Sequence, residues 1–518
     1  MQVTAPATDV VDAAVGGIGE ITLPAVQWRA TAPIDIMIFG ALVLLVVAAL
    51  ARHTGWVHRI YVWATCAIAG VAGIFALNYS STARNTAKPA GAIADALRID
   101  GFAIFITVLI CCAVIMATLI ADGYLKREAL NGPEFYVLTL LSASGGIIMA
   151  SANDLVVMFL GLEILSIALY VLAGSHLRRQ ESQEAAIKYF VLGGFSSAIF
   201  LYGCALVYGA TGSTNLGEIA SYLGENVFFH NGLLVAGTML LLVGLGFKIA
   251  AVPFHMWTPD VYQGSPSPVA GFMAAAAKAA GFAALLRILF TALESRRLDW
   301  QPVIWVLAVL TMVVGAVLAA TQTDVKRIMG YSSISHAGFI LIGLQAASAN
   351  GSSGALFYLF AYTFIVLGSF AVISVVGGRG DNAHSIDDYR GLGRRAPVLA
   401  VLFTLFLLAQ AGIPTTSGFI AKFGVIRAAA DVHSYAIAMI AMFVSVIGAY
   451  AYLRIVVAMF MSDSDPRSDD GVEVGSGIAS LVIPFATKIA LAIAVAATLF
   501  FGIAPQLLVN FADKALLR

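Results

Sequence analysis

Long apolar runs, separated by short polar connections, occupy most of the sequence. A helix needs about 20 predominantly apolar residues to cross the hydrocarbon core of a bilayer, and most of these runs reach that length. We therefore predict an all-α membrane protein with about 14 transmembrane helices, numbered here as spans in chain order. The runs lie at residues 34–51, 57–77, 99–121, 134–151, 154–174, 185–210, 231–257, 266–291, 301–320, 326–346, 354–376, 397–428, 431–461 and 478–503.

The composition agrees with this pattern. Of the 518 residues, 60% are hydrophobic and 11% are charged, whereas soluble domains contain about 25% charged residues. Basic and acidic residues both number 29, so no positive surplus indicates nucleic-acid binding. The four cysteines (Cys66, Cys111, Cys112 and Cys204) lie in apolar runs without a CxxC spacing. We therefore expect no iron–sulfur cluster, no zinc and no other cofactor in this chain.

Lysine and arginine are divided unequally between the two sets of alternating loops, and the richer set is expected to face the cytoplasm. With fourteen spans, both termini then face the outer side. The acidic loop 463–473 falls on the cytoplasmic side and is interpreted as a solvated linker rather than a metal site. The richer set contains Arg52, Arg59, Lys126, Arg127, Arg178, Arg179, Lys326, Arg327, Arg379, Arg390, Arg394 and Arg395, and the other set contains Arg84, Lys88, Arg98, Arg296 and Arg297.

Two spans contain helix-breaking residues. Span 7 carries Pro253, and span 12 carries Gly412 and Pro414. Because the two spans are five apart, they cross the bilayer in opposite directions, as expected for inverted five-helix repeats made of spans 4–8 and 9–13. The alternative is that proline is simply more frequent in membrane helices. The predicted regions are an outer N-terminal extension at 1–33, three helices at 34–128, the repeats at 134–291 and 301–461, and a cytoplasmic loop with the last helix at 462–518.

Several ionisable residues lie deep inside the apolar runs, where a charge costs about 2.5–3.5 kcal/mol on insertion scales. The central ones are Glu163, Lys248, Lys278, His336 and Lys422. Each is a candidate for proton transfer, and the alternative is a structural, hydrogen-bonded side chain. Three further residues receive a structural interpretation from position alone. Lys188 follows Glu184 by one turn as in a surface pair, Arg287 is near enough to a helix end to snorkel, and Asp260 shapes a loop.

This choice of side chains favours protons over metal cations. Burial or a second cation lowers the pKa of a lysine, so that a buried lysine exchanges its proton near physiological pH. A nearby carboxylate such as Glu163 would hold the proton, and moving that partner would release it. A sodium or calcium site would instead require clustered oxygen ligands, and the five central positions contain three lysines and a histidine to one carboxylate.

Four long stretches resemble the antiporter-like membrane subunits of bacterial respiratory complex I, a family that includes subunits L, M and N. The resemblance covers nearly the whole chain and is strongest to the N subunits. A lysine at position 422 disfavours the M type, and the absence of a long lateral helix disfavours the L type. The stretches are DLVVMFLGLEILSIALYVLAG (154–174), EAAIKYFVLGGFSSAIFLYGCALVYGATGSTNL (184–216), VPFHMWTPDVYQGSPSPVAGF (252–272) and TDVKRIMGYSSISHAGF (323–339).

The resemblance implies a role for each candidate residue. Glu163 and Lys188 would form an ion pair at one half-channel, Lys248 would be the central titrating base, and Lys278 would connect it through His336 to Lys422. It also implies a bacterial plasma membrane, with subunits M, K and J as neighbours. FMN, iron–sulfur clusters and quinone would be bound by other subunits.

Two other functions remain open at the level of sequence. One is a secondary cation/proton antiporter of the multisubunit type, which would not copurify with flavin and iron–sulfur subunits. The other is a membrane scaffold whose buried charges serve only structural specificity. A scaffold predicts that Lys422→Ala impairs assembly rather than turnover.

Overall fold

The computed structural model describes residues 26–50, 55–83, 90–130, 132–226, 232–461 and 481–517. Most of the predicted N-terminal extension and the acidic loop 463–473 lie outside the described residues. The described helices are α1 Trp28–Leu50, α2 Gly55–Ala83, α3 Gly101–Arg127, α4 Glu134–Ser151, α5 Leu155–Ala173, α6 Gln180–Thr211, α7 Leu216–Glu225, α8 Gly232–Ile249, α9 Trp257–Gly264, α10 Ser267–Ala292, α11 Arg297–Thr321, α12 Val325–Ala346, α13 Ala349–Val376, α14 Leu392–Arg395, α15 Pro397–Ala411, α16 Ser417–Asp431, α17 Tyr435–Met461, α18 Phe485–Ile503 and α19 Gln506–Asp513.

The remaining regular structure is small. Two short antiparallel strands, β1 Ala90–Gly91 and β2 Arg98–Ile99, pair before α3. One 3-10 turn, Glu294–Arg296, precedes α11, and another, Ile386–Tyr389, precedes α14. The architecture of the described residues is therefore the predicted all-helical one.

Twelve of the described helices are long and apolar enough to cross a membrane. The two other predicted spans, 326–346 and 397–428, correspond to α12 and to the pair α15 and α16. The count of fourteen spans stays a prediction, because α12 contains several polar residues and the paired helices are short. Within the described residues, every predicted apolar run nevertheless lies mostly in helix.

The core of the bundle is formed by α10 and α13, whose apolar windows are completely buried. Peripheral helices instead expose large apolar side chains, such as Phe443 of α17 and Phe39 of α1. In water such a surface would be unusual, whereas hydrocarbon tolerates it without cost. The burial pattern therefore fits a bundle surrounded by lipid.

The same local hydrogen-bonding pattern occurs once in each of the two predicted repeats. Asp154 caps α5 and Asp324 caps α12, each through its side chain. Beside the first cap, Leu155 N donates to Thr214 O at 2.9 Å, and beside the second, Val325 N donates to His384 O at 2.7 Å. Each residue of the first pattern lies 170 positions before its counterpart in the second, as Asp154 does before Asp324. The same local structure thus occurs once in each half.

Helix packing follows the same register. A side chain at Gly145 of α4 would collide with the backbone of α5 at Gly161 O and Leu165 N, 2.7 and 2.4 Å away. A side chain at Gly315 of α11 would collide with the backbone of α12 at Tyr331 O and Ser335 N, 2.9 and 2.5 Å away. Small residues let two membrane helices approach closely, and both halves use one at the same position. The same packing register therefore occurs in both halves, as the predicted five-helix repeats require.

Both predicted helix breaks are present. In the first, α8 ends at Ile249, Ala250 takes a positive φ of 62°, and Val252 N donates to Thr311 Oγ1 of α11 at 3.0 Å. In the second, α15 ends at Ala411 and Gly412 takes a φ of 90°. Each break leaves backbone groups free for side chains.

Candidate functional site

The predicted site residues lie on helices of both repeats. Four of them, Lys248, Lys278, His336 and Lys422, are buried. Glu163 is partly buried, and Lys188 is the most accessible, with 41% of its side chain exposed. The structure therefore brings the four deep bases into the interior and leaves Lys188 closer to the surface.

Lys248 occupies the last turn of α8, directly before the first break. Its Nζ donates to Ser166 Oγ of α5 at 2.9 Å and to Tyr189 OH of α6 at 3.3 Å. The ring of Tyr189 also stacks on Trp257 of α9, with centroids 4.6 Å apart. The ammonium group is thus held by hydroxyl groups rather than by a carboxylate.

Lys278 follows the π-helical turn Met273–Ala277 of α10. Its Nζ donates to both Oγ and the carbonyl oxygen of Ser333 on α12. Tyr262 of α9 approaches the same hydroxyl, with 3.4 Å between Tyr262 OH and Ser333 Oγ. Lys278 therefore connects the last helix of the first repeat to the second repeat.

His336 is placed between two tyrosines. Its Nδ1 lies 2.6 Å from Tyr358 OH of α13, and its Nε2 lies 3.2 Å from Tyr452 OH of α17. Tyr452 OH in turn lies 2.5 Å from Ser332 Oγ. Because imidazole and phenol groups both donate and accept hydrogen bonds, this cluster can pass a proton in either direction.

Lys422 lies on α16, after the second break. Its Nζ donates to Ala411 O, at the end of α15, at 3.0 Å and lies 4.8 Å from the ring centroid of Phe339. The break supplies this carbonyl oxygen, because the helix no longer uses it. His336 interacts electrostatically with both Lys422 and Lys278, so the three bases form one electrostatically connected group.

The implied Glu163–Lys188 ion pair is not formed. Lys188 Nζ is bound instead to Glu184 Oε1 at 2.6 Å and to Asp260 Oδ2 at 2.7 Å. Glu163 interacts electrostatically with Lys248, and its Oε1 is buried without a hydrogen-bond partner. The local pair with Glu184 is favoured by its order and spacing on the helix, and the carboxylate of Glu163 is left available.

Asp260 contributes more to the site than its sequence-based interpretation as a loop-shaping residue predicted. Its Oδ2 binds Lys188, and its Oδ1 accepts from Arg327 Nη1 of α12 at 2.7 Å. Burial alone would raise the pKa of Asp260, but the hydrogen bonds from these two cations lower it below the usual value. Asp260 is therefore an ionised bridge between the repeats.

A second ionic cluster surrounds Asp381, in the loop after α13. Lys326, expected in a cytoplasmic loop, is fully buried, and its Nζ donates to Asp381 Oδ2 at 3.1 Å. Arg179 Nη1 contacts the same oxygen at 3.2 Å, and Ser267 Oγ donates to Oδ1 at 2.9 Å. Sequence reasoning missed this cluster, because its members are far apart along the chain.

The snorkelling interpretation of Arg287 was wrong. The side chain is fully buried. Its Nη2 donates to Asp100 Oδ1 at 2.9 Å, and its Nη1 donates to the other oxygen of the same carboxylate. Its Nε donates to Ala150 O at 2.7 Å. A paired and hydrogen-bonded guanidinium can remain inside the bundle. Asp100, just before α3, is the sequence signal that could have indicated this partner.

The fold and the site together define a class of protein: a polytopic membrane protein with two broken helices and a row of buried bases, as in ion-translocating membrane proteins. A family model described as "NADH:quinone oxidoreductase/Mrp antiporter, TM" matches residues 152–448. The chain is 43% identical over 421 residues to NADH-quinone oxidoreductase subunit N of Trichlorobacter lovleyi, covering 81% of this chain and 84% of the relative.

A second relative, NADH-quinone oxidoreductase subunit N 3 of Streptomyces griseus, is 39% identical, with 98% of this chain and 97% of the relative covered. Among solved structures, a chain of respiratory complex I from Thermus thermophilus with bound aureothin is similar, with a TM-score of 0.75, 32% identity, and coverage of 93% and 99%. The Mrp complex of Dietzia shares the fold, with a TM-score of 0.80, 22% identity and coverage of 94% and 97%.

These similarities confirm the predicted family. The chain belongs to the membrane subunits shared by NADH:quinone oxidoreductases and Mrp antiporters.

Proposed function

We propose that this chain is a proton-translocating membrane subunit of NADH–quinone oxidoreductase. The observation that carries this function is the set of four buried bases, Lys248, Lys278, His336 and Lys422, the first three of which contact hydroxyl groups. Such groups exchange protons without requiring a metal. Among the described residues, no group of three or more His, Cys, Asp or Glu side chains could hold a metal ion. FMN, iron–sulfur clusters and quinone are assigned to other subunits.

The proposed mechanism uses Lys188 as a mobile cation. In the described state it is bound to Asp260 and Glu184, and Glu163 interacts electrostatically with Lys248 instead. Moving Lys188 toward Glu163 would neutralise that carboxylate and weaken its hold on the Lys248 proton. The proton would then pass toward Lys278, for which Ser333 and Tyr262 provide hydroxyl groups.

The second repeat would complete the path. His336 accepts the proton from the side of Lys278 and delivers it toward Lys422, with Tyr358 and Tyr452 orienting its ring. Redox chemistry on other subunits would drive the motion of Lys188.

We further propose that the chain lies in a bacterial plasma membrane with both termini outside, and that subunits M, K and J are its neighbours. Each half-channel would correspond to one repeat, 134–291 or 301–461. The regions 1–33, 34–128 and 462–518 would then lie outside the two half-channels.

The alternative is a subunit of a multisubunit cation/proton antiporter, which the shared family model and the fold of the Mrp complex favour. Purification from the native membrane distinguishes the two. Flavin and iron–sulfur absorption that copurifies with this chain supports the oxidoreductase, whereas a complex that exchanges sodium for protons without these chromophores supports the antiporter.

The role of the buried bases is tested in the assembled complex with Lys248→Ala and Glu163→Ala. Both variants are expected to lower proton pumping per NADH oxidised at least tenfold, because each removes a group that holds or controls the transferred proton. Lys514→Ala is the matched control, since its side chain is exposed and outside the relay. Near-normal pumping in both buried-site variants would sink the assignment.

A further inference from the structure

A cavity of about 830 Å³ opens between α2, α3 and α18, at one end of the bundle and away from the buried bases. Its polar side chains are three cations and one carboxylate, and its apolar walls include an indole and a phenyl ring. We propose that this cavity binds the headgroup phosphate of an anionic phospholipid. The residues that carry the argument are Arg59, Trp63, Asp122, Lys126, Arg127 and Phe485.

The charge of the cavity favours an anion. Lys126 and Arg127 lie in the last turn of α3, and Arg59 lies in the second turn of α2. The only carboxylate among the lining residues, Asp122, is already occupied, because its Oδ1 lies 2.5 Å from Lys126 Nζ and 3.2 Å from His58 Nε2. The lining therefore retains a positive charge.

The guanidinium of Arg127 is fixed by two hydrogen bonds. Arg127 Nε is bound to Glu128 Oε1 at 2.9 Å, and its Nη1 donates to Ser374 O at 2.7 Å. Its Nη2 is buried and has no hydrogen-bond partner. A guanidinium donates in a fixed fork that suits phosphate oxygens, and the Arg127 side chain, which lines the cavity, is 25% exposed and therefore contributes its positive charge to an anion bound there.

The apolar walls distinguish a lipid from a free anion. Trp63 and Phe485 line the cavity and are exposed by 50% and 72%. Tryptophan is enriched at the membrane interface, and basic pockets between membrane helices on the cytoplasmic side bind anionic headgroups. Arg59, Lys126 and Arg127 all belong to the loop set that the sequence assigns to the cytoplasm. A phospholipid whose headgroup binds these three cations would place its acyl chains along the exposed rings of Trp63 and Phe485.

The test uses photoactivatable phosphatidylglycerol and phosphatidylcholine, reconstituted separately with the purified complex in phosphatidylcholine vesicles. Crosslinked peptides are mapped by mass spectrometry. The phosphatidylglycerol probe is expected to label peptides of α2, α3 or α18, and excess unlabelled phosphatidylglycerol should abolish the labelling. Equal labelling by both probes would overturn the proposal. Complete competition by millimolar inorganic phosphate would also overturn it, because the site would then bind a free anion. A third contrary outcome is that neither probe labels these peptides because a neighbouring subunit covers them.

The variant for the test is Arg59→Gln, whose exposed side chain can change without disturbing the interior. Specific labelling is expected to fall about fivefold, the ratio that corresponds to the ~1 kcal/mol contributed by one basic residue near an anionic membrane. Arg390→Gln is the matched control, because Arg390 is an exposed arginine of the same loop set. Unchanged labelling in Arg59→Gln, or an equal loss in the control, would contradict the assignment.

Discussion

Hydroxyl groups, rather than carboxylates, are the nearest side-chain partners of three of the four buried bases, Lys248, Lys278 and His336. Ser166 and Tyr189 accept from Lys248, Ser333 accepts from Lys278, and two tyrosines flank His336. A close carboxylate would fix each proton in one place, whereas a hydroxyl group solvates the base in either protonation state. This arrangement suits a relay that must both accept and release protons.

Tyr452→Phe tests this function of the hydroxyl groups. The variant keeps the ring but removes the oxygen that contacts both His336 Nε2 and Ser332 Oγ. Since a net hydrogen bond contributes about 0.5–1.5 kcal/mol, proton pumping per NADH oxidised should fall about two- to tenfold while the complex stays assembled. Tyr435→Phe, at an exposed tyrosine, should pump normally. Normal pumping by Tyr452→Phe as well would contradict the proposed relay through this phenol.

The sequence predicted the deep bases because a charge within an apolar run is conspicuous. It did not predict the partner of Lys188, because Asp260 lies 72 residues away in a polar connection that resembles any loop. Lys326 was misread for a related reason: its position at the start of an apolar run looks like a surface loop, yet Asp381 closes over it. Partners distant in sequence become visible only in the folded chain.

At the scale of the elements, helices and breaks were predictable from local sequence. Apolar length determined the helices, and Pro253 and Gly412 marked the two interruptions. The π-helical turn Met273–Ala277, which precedes Lys278, was not predictable. Its alanine-rich sequence is equally compatible with a regular α-helix, so the turn depends on tertiary packing.

Gly315→Ala tests the close packing of α11 on α12. A new Cβ would lie 2.5 Å from Ser335 N, so the helices must separate, and overpacking of this kind costs about 1–3 kcal/mol. The complex is expected to lose its assembled form at a lower temperature, measured by native gel electrophoresis after heating. Gly194→Ala is the matched control, because its Cβ would meet no atom within 4 Å. Equal midpoints for the two variants would show that this contact tolerates separation.

At the scale of the whole molecule, Asp381 connects three parts of the chain at one end of the bundle. It contacts Arg179 and Ser267 of the first repeat, Lys326 of the second, and Tyr124 of α3, whose OH lies 3.4 Å from Oδ2. Lys188–Asp260–Arg327 forms another such bridge. The two repeats are therefore connected by side-chain ion pairs at one end, in addition to their apolar contacts.

Asp381→Asn should strongly destabilise the complex, because it removes the carboxylate paired with the fully buried Lys326 and one of the two carboxylates near Arg179. Removing one member of a buried ion pair costs about 3–5 kcal/mol, and the midpoint temperature of disassembly should fall accordingly. Asp387→Asn is the control, since Asp387 is 69% exposed and its ion pair is on the surface. If Asp381→Asn is as stable as Asp387→Asn, Asp381 is not needed to hold the two repeats together.

The stability difference between wild type and Asp381→Asn should also depend on pH with a defined sign. Burial alone would raise the pKa of Asp381, but Lys326, His384 and Arg179 lower it well below its usual range. A carboxyl with a depressed folded-state pKa stabilises the protein above its unfolded-state pKa, about 3.9, and loses that contribution as the pH falls further. The difference in midpoint temperature between wild type and Asp381→Asn should therefore be constant near neutral pH and shrink below about pH 4. A difference that shrinks toward alkaline pH instead would contradict a carboxylate held ionised by these cations.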